Sequence, residues 1–266
     1  SPSHGHPPGG GAWIHREFAD LYRRFWKELS SLSEDFTLSM EQASELYMPW
    51  LTMAQQRPFA NGLEWPAISP MTQAVPLLIF LHHEHLFGWA AYYPWRTTPE
   101  GIFYSLAKGF SAGLMPGLAQ SVLHLQTQSP ERFNNYIRLF RSCMEGYRGY
   151  AKDALLYGRM MRPLDLAVPQ VEFHFNRVPP QRFPAVLNSV WMTQAGETYI
   201  VLINHTEASV STDVALQTGG VWLGDGEPRV VPPGSVRAAV PGLAMRAIRA
   251  QARSIRPPRT AKRNIA

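Results

Sequence analysis

The sequence predicts an α/β unit followed by an all-β unit. Residues 75–81, Val-Pro-Leu-Leu-Ile-Phe-Leu, form a wholly apolar run, which is typical of a strand buried on both faces in a parallel sheet. Amphipathic helical patterns lie on either side of this run. From about residue 160 onward, short runs rich in β-branched and aromatic residues alternate with Gly, Asn and Pro turn signals, which favours an antiparallel β-sandwich.

The length and composition support this division. A chain of 266 residues that is 45% hydrophobic can bury a sizeable core and is long enough for two units. We expect a flexible start at residues 1–12, the α/β unit at residues 13–159, the β-sandwich at residues 160–250 and a disordered basic tail at residues 251–266.

The basic charge is concentrated at the end of the chain. Seven basic residues and no acid lie between Arg246 and Arg263, and the rest of the chain has 18 basic and 20 acidic residues. The net charge of +5 therefore belongs to a Pro/Arg tail, and we expect no nucleic-acid partner. No apolar run reaches the roughly 18 residues of a membrane span, so no membrane partner is predicted. The single cysteine, Cys143, excludes an internal disulfide and a cysteine-rich zinc site.

The first elements follow from local patterns. Apolar residues at helical spacing predict an amphipathic helix over residues 14–31. Residues 35–41 predict a short strand, and a helical or turn-like piece follows it. A loop rich in Asn, Gly, Trp and Pro at residues 61–70 then leads to the apolar run at residues 75–81.

The later α/β elements are less regular at first. Residues 86–96 are aromatic but broken by Gly and Pro, so they favour neither a strand nor a helix. Residues 99–113 predict a helix and residues 114–118 a last short strand. Ser129 and Pro130 then form a helix start, with apolar residues at helical spacing continuing toward residue 156.

This order of elements fits the C-terminal portion of a (β/α)8 TIM barrel followed by an antiparallel β-sandwich. Three βα-type units are too few to close such a barrel. We therefore expect the chain to be N-terminally incomplete, with the missing units preceding Ser1.

Several short motifs carry a family resemblance, which covers most of residues 10–240. They are Thr37-Leu-Ser-Met-Glu41 with Glu45 and Tyr47 after it, Pro76 through His83-Glu84, residues 159–163, Tyr199-Ile-Val-Leu-Ile-Asn204-His-Thr, and Val231-Pro-Pro-Gly-Ser-Val236. In this order they resemble barrel glycoside hydrolases, and most closely an uncharacterised glycosidase-like family known only as a domain of unknown function. The resemblance implies a sugar cleft at the barrel strand ends. The sequence departs from the pattern because it lacks the earlier barrel strand that usually carries an acid.

Two glutamates are the candidate catalytic residues. Glycoside hydrolysis commonly uses two carboxyl groups, about 5 to 5.5 Å apart in retaining enzymes and roughly 6.5 to 9.5 Å apart in inverting ones. Glu41 ends a predicted strand, where partial desolvation suits a general acid; alternatively it caps a helix or pairs with an arginine. Glu84 follows the apolar run at the same level. Because neighbouring strands lie ~4.8 Å apart, the two acids could converge, or either could pair with an acid from an earlier strand. Glu84 could instead make a structural hydrogen bond.

Six further residues are candidates for substrate binding: His82, His83, Glu45, Tyr47, Trp89 and Trp65. Glu45 lies one helical turn beyond Glu41 and could orient it or bind a sugar hydroxyl. The tryptophans lie in loops beside strand ends, where aromatic rings can stack on pyranose faces, although for any single one packing of the barrel top against the sandwich is favoured. His82 and His83 would point to opposite faces of a strand and so could not chelate one ion. No metal site and no cofactor are predicted.

The leading hypothesis is therefore a glycoside hydrolase whose partner is a carbohydrate, an oligo- or polysaccharide. The first alternative is a non-catalytic carbohydrate-binding protein built on a degenerate barrel. The second is a structural or interaction fragment in which the sandwich stabilises a partner.

Overall fold

The computed structural model describes residues 10–41, 46–56, 77–90, 99–116, 121–175 and 178–251. The helices are α1 (Gly10–Leu29), α2 (Leu77–His82), α3 (Pro99–Ser111), α4 (Ser121–Gln128), α5 (Pro130–Arg148) and α6 (Lys152–Tyr157), with a 3-10 turn at Met48–Trp50. Short strands alternate with the first of these helices, and longer strands follow the last one. The described chain is thus a mixed helix and sheet structure.

Helix α1 confirms the predicted amphipathic helix and begins four residues earlier than residue 14. One side of it, with Ala19 and Tyr22, packs against the buried Tyr47. A second apolar stripe, formed by Ile14, Phe18, Leu21 and Phe25, lies along a neighbouring side of the helix. Three of these side chains are more than 40% exposed. Helix α1 therefore has one packed face and one face that is largely open.

The first sheet is parallel and has four strands in chain order: β1 (Ser39–Glu41), β2 (Met53–Gln56), β3 (Phe87–Ala90) and β4 (Met115–Pro116). Every neighbouring pair is parallel. The predicted strands at residues 35–41 and 114–118 are present, but β2 was not predicted, and the residues of β3 favoured neither a strand nor a helix. At its outer edge, β1 has no strand partner among the residues that the structure describes.

The prediction of a strand at residues 75–81 is wrong, because α2 occupies Leu77–His82. A short apolar run has no periodicity that distinguishes a buried helix from a buried strand. Leucine is a strong helix former, and proline before the first turn favours a helix start. The ring of His83 and the Ile79 side chain are both buried, so this helix is packed into the core.

The predicted helix at residues 99–113 is confirmed as α3, and the Pro130 helix is confirmed as α5. Ser129 precedes α5, but its side chain makes no capping hydrogen bond. The helical pattern that extends toward residue 156 is divided in the structure, because α5 ends at Arg148 and α6 begins at Lys152. Helix α4 was not predicted.

The remaining strands are antiparallel. They are β5 (Arg159–Met161), β6 (Gln170–Phe175), β7 (Val178–Pro184), β8 (Val186–Met192), β9 (Glu197–Asn204), β10 (Val210–Leu216), β11 (Gly220–Leu223), β12 (Arg229–Val231), β13 (Gly234–Val240) and β14 (Ala244–Gln251). Six of them form one sheet in the order β12-β11-β14-β9-β8-β5, while β10 pairs with β13 and β6 with β7. The strands predicted from residues 186–216 are confirmed.

The six-stranded sheet is covered on both faces. On one face, Ile200, Leu202 and Ile248 pack against β10 and β13. On the other, Trp191 and Val201 belong to a core that also contains residues of α3, α5 and α6. Strand β9 is consequently buried at seven of its eight positions. The largest core of the chain thus joins the helices to the antiparallel sheet.

The basic tail begins later than its arginine pattern indicated. Arg246 and Arg249 lie within strand β14, and Arg249 is close to Glu197 of the neighbouring strand, at 3.8 Å. These two arginines are therefore part of the sheet. Residues 252–266 lie outside the described ranges, and the division at residues 159 and 160 stays a prediction. Within the described residues, no helix is both long and apolar enough to span a membrane.

Candidate functional site

The carboxyl edge of the parallel sheet brings three polar or aromatic residues into one row. Glu41 of β1 is in register with Gln55 of β2, which is in register with Trp89 of β3. With neighbouring strands ~4.8 Å apart, the row spans about 10 Å of backbone. Chemistry in α/β proteins is commonly placed at this edge of a parallel sheet. Gln55 was missed from the sequence because Met-Ala-Gln-Gln has no strand periodicity.

The next row shows which face of the sheet is packed. Ala54 is fully buried against residues of α1 and the 3-10 turn. A side chain at Gly88 would meet Leu114 and Ile79, the latter from α2. This row therefore faces the helices. Because successive residues of a strand alternate between faces, Trp89, the residue after Gly88, points to the opposite face of the sheet. Trp89 is half-buried there.

The residues that follow each parallel strand lie outside the described ranges. These are residues 42–45, 57–76, 91–98 and 117–120. Two of the predicted substrate-binding residues, Glu45 and Trp65, fall among them. The described part of the candidate site is therefore the row on the strands themselves.

The structure does not bring Glu84 to the same edge as Glu41. Glu84 lies in the turn between α2 and β3, before the first residue of β3. Phe87 is two residues, about 7 Å, from Trp89 along the strand, and Glu84 lies three residues farther back. Glu84 is also exposed. The expectation that it follows a strand at the level of Glu41 is wrong, because residues 77–82 are helical and the turn returns the chain to the amino edge.

His83 is a structural core residue in this fold. It is 5% exposed, and its Nδ1 lies 2.8 Å from the carbonyl oxygen of Gly158. Its Nε2 lies 3.3 Å from the carbonyl oxygen of Gly113. Burial lowers the pKa of the ring and outweighs the opposing effect of these carbonyls. A neutral ring donates from one nitrogen only, and the shorter distance assigns this donor to Nδ1 and Gly158.

The position of His83 explains why it cannot line a cleft at the carboxyl edge. Its ring packs against Trp191 of the antiparallel sheet, with ring centroids 4.5 Å apart. The same ring touches Gly113, whose φ of +71° suits glycine. His83 therefore ties the turn after α2 to the antiparallel sheet and to the segments that precede β4 and β5. His82 is half-buried at the end of α2, likewise before β3, so neither histidine takes the predicted substrate-binding position.

Tyr47 also has a structural role. It is 3% exposed, and its hydroxyl lies 2.5 Å from Nδ1 of His15 in α1. Its ring stacks on Tyr22 at a centroid distance of 5.6 Å. These contacts hold α1 to the 3-10 turn. The prediction that Tyr47 binds substrate is therefore not supported by its surroundings.

Three other sequence features lead to no site among the described residues. Cys143 is fully buried, and burial raises the pKa of its thiol, which suits a core residue. Within the described ranges, no group of three His, Cys, Asp or Glu side chains is arranged to hold a metal ion. Asn204-His205-Thr206 has the residue pattern of an N-glycosylation sequon, but Asn204 is fully buried and donates to the carbonyls of Ala208 and Val240.

Comparisons with known proteins show what the fold resembles. Residues 1–93 match the family model of a domain of unknown function (DUF6259). The sequence matches no curated protein. Among solved structures, an α-amylase from Anoxybacillus is similar with a TM-score of 0.50 at 12% sequence identity, over 88% of this chain and 56% of that one.

Two further α-amylases have a TM-score of 0.49. One, from Geobacillus thermoleovorans, was solved with acarbose and is 10% identical over 87% of this chain and 57% of its own. The other, from H. orenii, is 9% identical over 92% of this chain and 58% of its own. The chain thus spans a little over half the length of these enzymes. At such identities the likeness concerns the fold alone.

Proposed function

We propose that this chain is the closing portion of a (β/α)8-barrel glycoside hydrolase with an appended β-sandwich, and that Glu41 supplies one of its two carboxyl groups. The observation that carries this proposal is the row of Glu41, Gln55 and Trp89 at the carboxyl edge of the parallel sheet. An acid, an amide and an indole within about 10 Å form a set suited to a sugar.

The barrel part of the proposal is supported by the open side of the parallel sheet. Strand β1 has an unpaired outer edge within the described residues, and α1 beside it exposes Ile14, Phe18 and Phe25. A further parallel strand would pair with β1, and its helix would cover this stripe. Barrel closure would therefore bury surface that is open in this chain.

The chemistry follows from the row. In a glycoside hydrolase, one carboxyl group protonates the leaving oxygen while the other acts as nucleophile or activates water. Glu41 would take one of these roles, and the second acid would come from a strand beyond β1. Trp89 would stack on the apolar face of a pyranose ring, and Gln55 would exchange hydrogen bonds with a hydroxyl. Glu84, at the other edge, has no role in this mechanism.

A carbohydrate-binding protein without catalysis is the second candidate. Among the residues that the structure describes, Glu41 is the one acid that ends a strand of the parallel sheet, since β2, β3 and β4 end in Gln56, Ala90 and Pro116. A single carboxyl group beside an amide and an indole would bind a sugar without hydrolysing it. Both candidates share Trp89 as the residue that contacts the sugar.

The experiment that separates them uses the longest natural chain that contains this sequence. Binding of a panel of neutral oligosaccharides would be measured by calorimetry, and released sugars would be measured by chromatography. The hydrolase predicts product formation, and the binding protein predicts heat without product. Trp89→Ala should weaken binding in either case, and Tyr157→Ala, which removes an exposed aromatic side chain away from this row, is the control. Absence of both binding and product for the whole panel would refute the proposal.

A further inference from the structure

A groove of about 880 Å³ lies between helix α5 and the segment that joins β13 to β14. One wall is the face of α5 that carries Asn134, Arg138 and Arg141, and the opposite wall includes Gly242 and Arg246. No residue of the parallel sheet lines it. The groove is therefore separate from the row of Glu41, Gln55 and Trp89.

Two of the three arginines in the groove donate hydrogen bonds to backbone carbonyl groups. Arg138 donates from Nη2 to the carbonyl of Gly242 at 2.7 Å, which fixes the loop to the helix. Arg246 donates from Nη1 to its neighbouring carbonyl, Met245, at 2.7 Å and lies 3.4 Å from a carboxylate oxygen of Asp225. Its side chain is only 12% exposed, and its buried Nε has no hydrogen-bond partner within the described residues.

The third arginine, Arg141, makes no polar side-chain contact that stabilises the described part of the chain. Arg141 lies one helical turn from Arg138 and is exposed. Its guanidinium forms no hydrogen bond or ion pair with any residue in the described ranges. Glu145 is the one acid among the groove's lining residues, against three arginines. With Asp225, which pairs with Arg246, two acids face three arginines, so the groove keeps a net positive charge, and the guanidinium donors of Arg141 are not used by the fold.

The opposite wall is rigid. Leu243 is buried and adopts a φ of 53°, a conformation that is rare for a bulky residue. Its amide donates to the carbonyl of Thr206 at 2.7 Å, and a side chain at Gly242 would overlap the Glu207 carbonyl. Backbone in such conformations persists where its surroundings fix it, and it is concentrated at ligand sites. The surrounding structure thus constrains the backbone of this wall at Gly242 and Leu243.

From these features we infer that the groove binds an acidic saccharide, one that carries carboxylate or sulfate groups. The planar guanidinium matches two oxygens of such a group, and a partly buried Arg–oxyanion pair is stronger than a neutral hydrogen bond. Phe133 and Ile137, at the same wall, offer apolar surface to the ring carbons. The volume lies in the range of small-molecule sites. The choice of a saccharide over another anion rests on the proposed carbohydrate function.

The test is a calorimetric titration of the chain with tetragalacturonate and a sulfated tetrasaccharide. Arg141→Glu should weaken binding of the acidic saccharide at least tenfold, and Arg141→Gln should weaken it less. Arg148→Glu, an exposed arginine of the same helix outside the groove, should change the affinity less than twofold. Neutral maltotetraose should not bind at this site, so its affinity should be unaffected by Arg141→Glu.

Three results would overturn the inference. The first is no binding of either acidic saccharide, and the second is equal weakening by Arg141→Glu and Arg148→Glu. The third is binding of inorganic phosphate or a short single-stranded DNA as tight as that of the saccharide, with the same loss in Arg141→Glu, which would mark a general anion site. Because the groove and Glu41 share no residue, Glu41→Gln should leave this binding unchanged. Loss of hydrolysis with retained groove binding therefore bears on the catalytic proposal alone.

Discussion

The two main sheets of this molecule differ in strand length and in how completely their faces are buried. The six-stranded antiparallel sheet has strands of up to eight residues and is covered on both faces, so Trp191, Ile200 and Leu202 are fully buried. The parallel sheet has strands of two to four residues, with one face against helices and an unpaired edge at β1 among the described residues. The comparison indicates that the antiparallel half holds the fold while the parallel half presents the candidate chemistry.

The largest difference should appear when one tryptophan is removed from each sheet. Trp191→Ala should cost about 3–5 kcal/mol of the free energy of unfolding, because it empties a large core site and leaves Ser189 without the indole hydrogen bond. Trp89→Ala should cost about 1 kcal/mol, because a half-buried side chain loses less contact. Urea unfolding followed by circular dichroism measures both. Equal losses would contradict the division of roles between the sheets.

A second difference should appear in the pH dependence of stability. Burial lowers the pKa of His205, beside the antiparallel sheet, to about 4, against about 6.5 in the unfolded chain. A neutral buried histidine stabilises the fold fully above pH 6.5, and this contribution is lost as the pH falls from 6.5 to about 4. The loss should be about 3 kcal/mol. His83, whose pKa is also lowered, should add to it.

Unfolding free energies measured between pH 7 and pH 4 test this expectation. His205→Gln should be less stable at pH 7 because Nε2 no longer donates to the carbonyl of Pro184, and it should lose less on acidification. An identical slope in the wild type and the variant would exclude His205 as the source.

The smallest of the expected effects concerns two glycines that share a positive φ. Gly113→Ala, between α3 and β4, should cost about 2 kcal/mol because the new methyl group meets His83 and Trp191 in addition to backbone strain. Gly196→Ala, in the hairpin between β8 and β9, has nothing within 4 Å and should cost about 1 kcal/mol. Thermal unfolding of the two variants measures the difference. A larger loss for Gly196→Ala would contradict a tightly packed junction.

The long elements could be predicted from the sequence more readily than the short ones. Strand β10 alternates between buried and exposed positions along its whole length, so its pattern is visible in Val-Ser-Thr-Asp-Val-Ala-Leu. Helices α1 and α5 are long enough for their periodicity to appear. Strand β2 is four residues long and has no such pattern, and α2 is as apolar as a buried strand. Short elements take their structure from tertiary packing, which a local pattern does not contain.

The candidate site was predicted only where a residue directly ends a recognisable element. Glu41 follows a strand that could be identified, so its position at the carboxyl edge was available from the sequence. Gln55 was missed because its strand was not recognised. The burial of His83 could not be predicted from the sequence, because it depends on contacts with Gly113, Gly158 and Trp191, which are distant in sequence. Because residues 75–81 were predicted to be a strand and Leu77–His82 form a helix, Glu84 was also predicted at the wrong edge of the parallel sheet.

The most direct test of the account compares two glutamates at opposite edges of the parallel sheet. Glu41→Gln and Glu84→Gln would be made in the longest natural chain that contains this sequence, and kcat/KM would be measured on the best hydrolysed glycoside. Glu41→Gln should lower kcat/KM by roughly 10²–10⁴-fold with unchanged unfolding free energy, whereas Glu84→Gln should leave it within about twofold of the wild type. Full activity in Glu41→Gln, or an equal loss in both variants, would contradict the assignment of the carboxyl edge as the catalytic site.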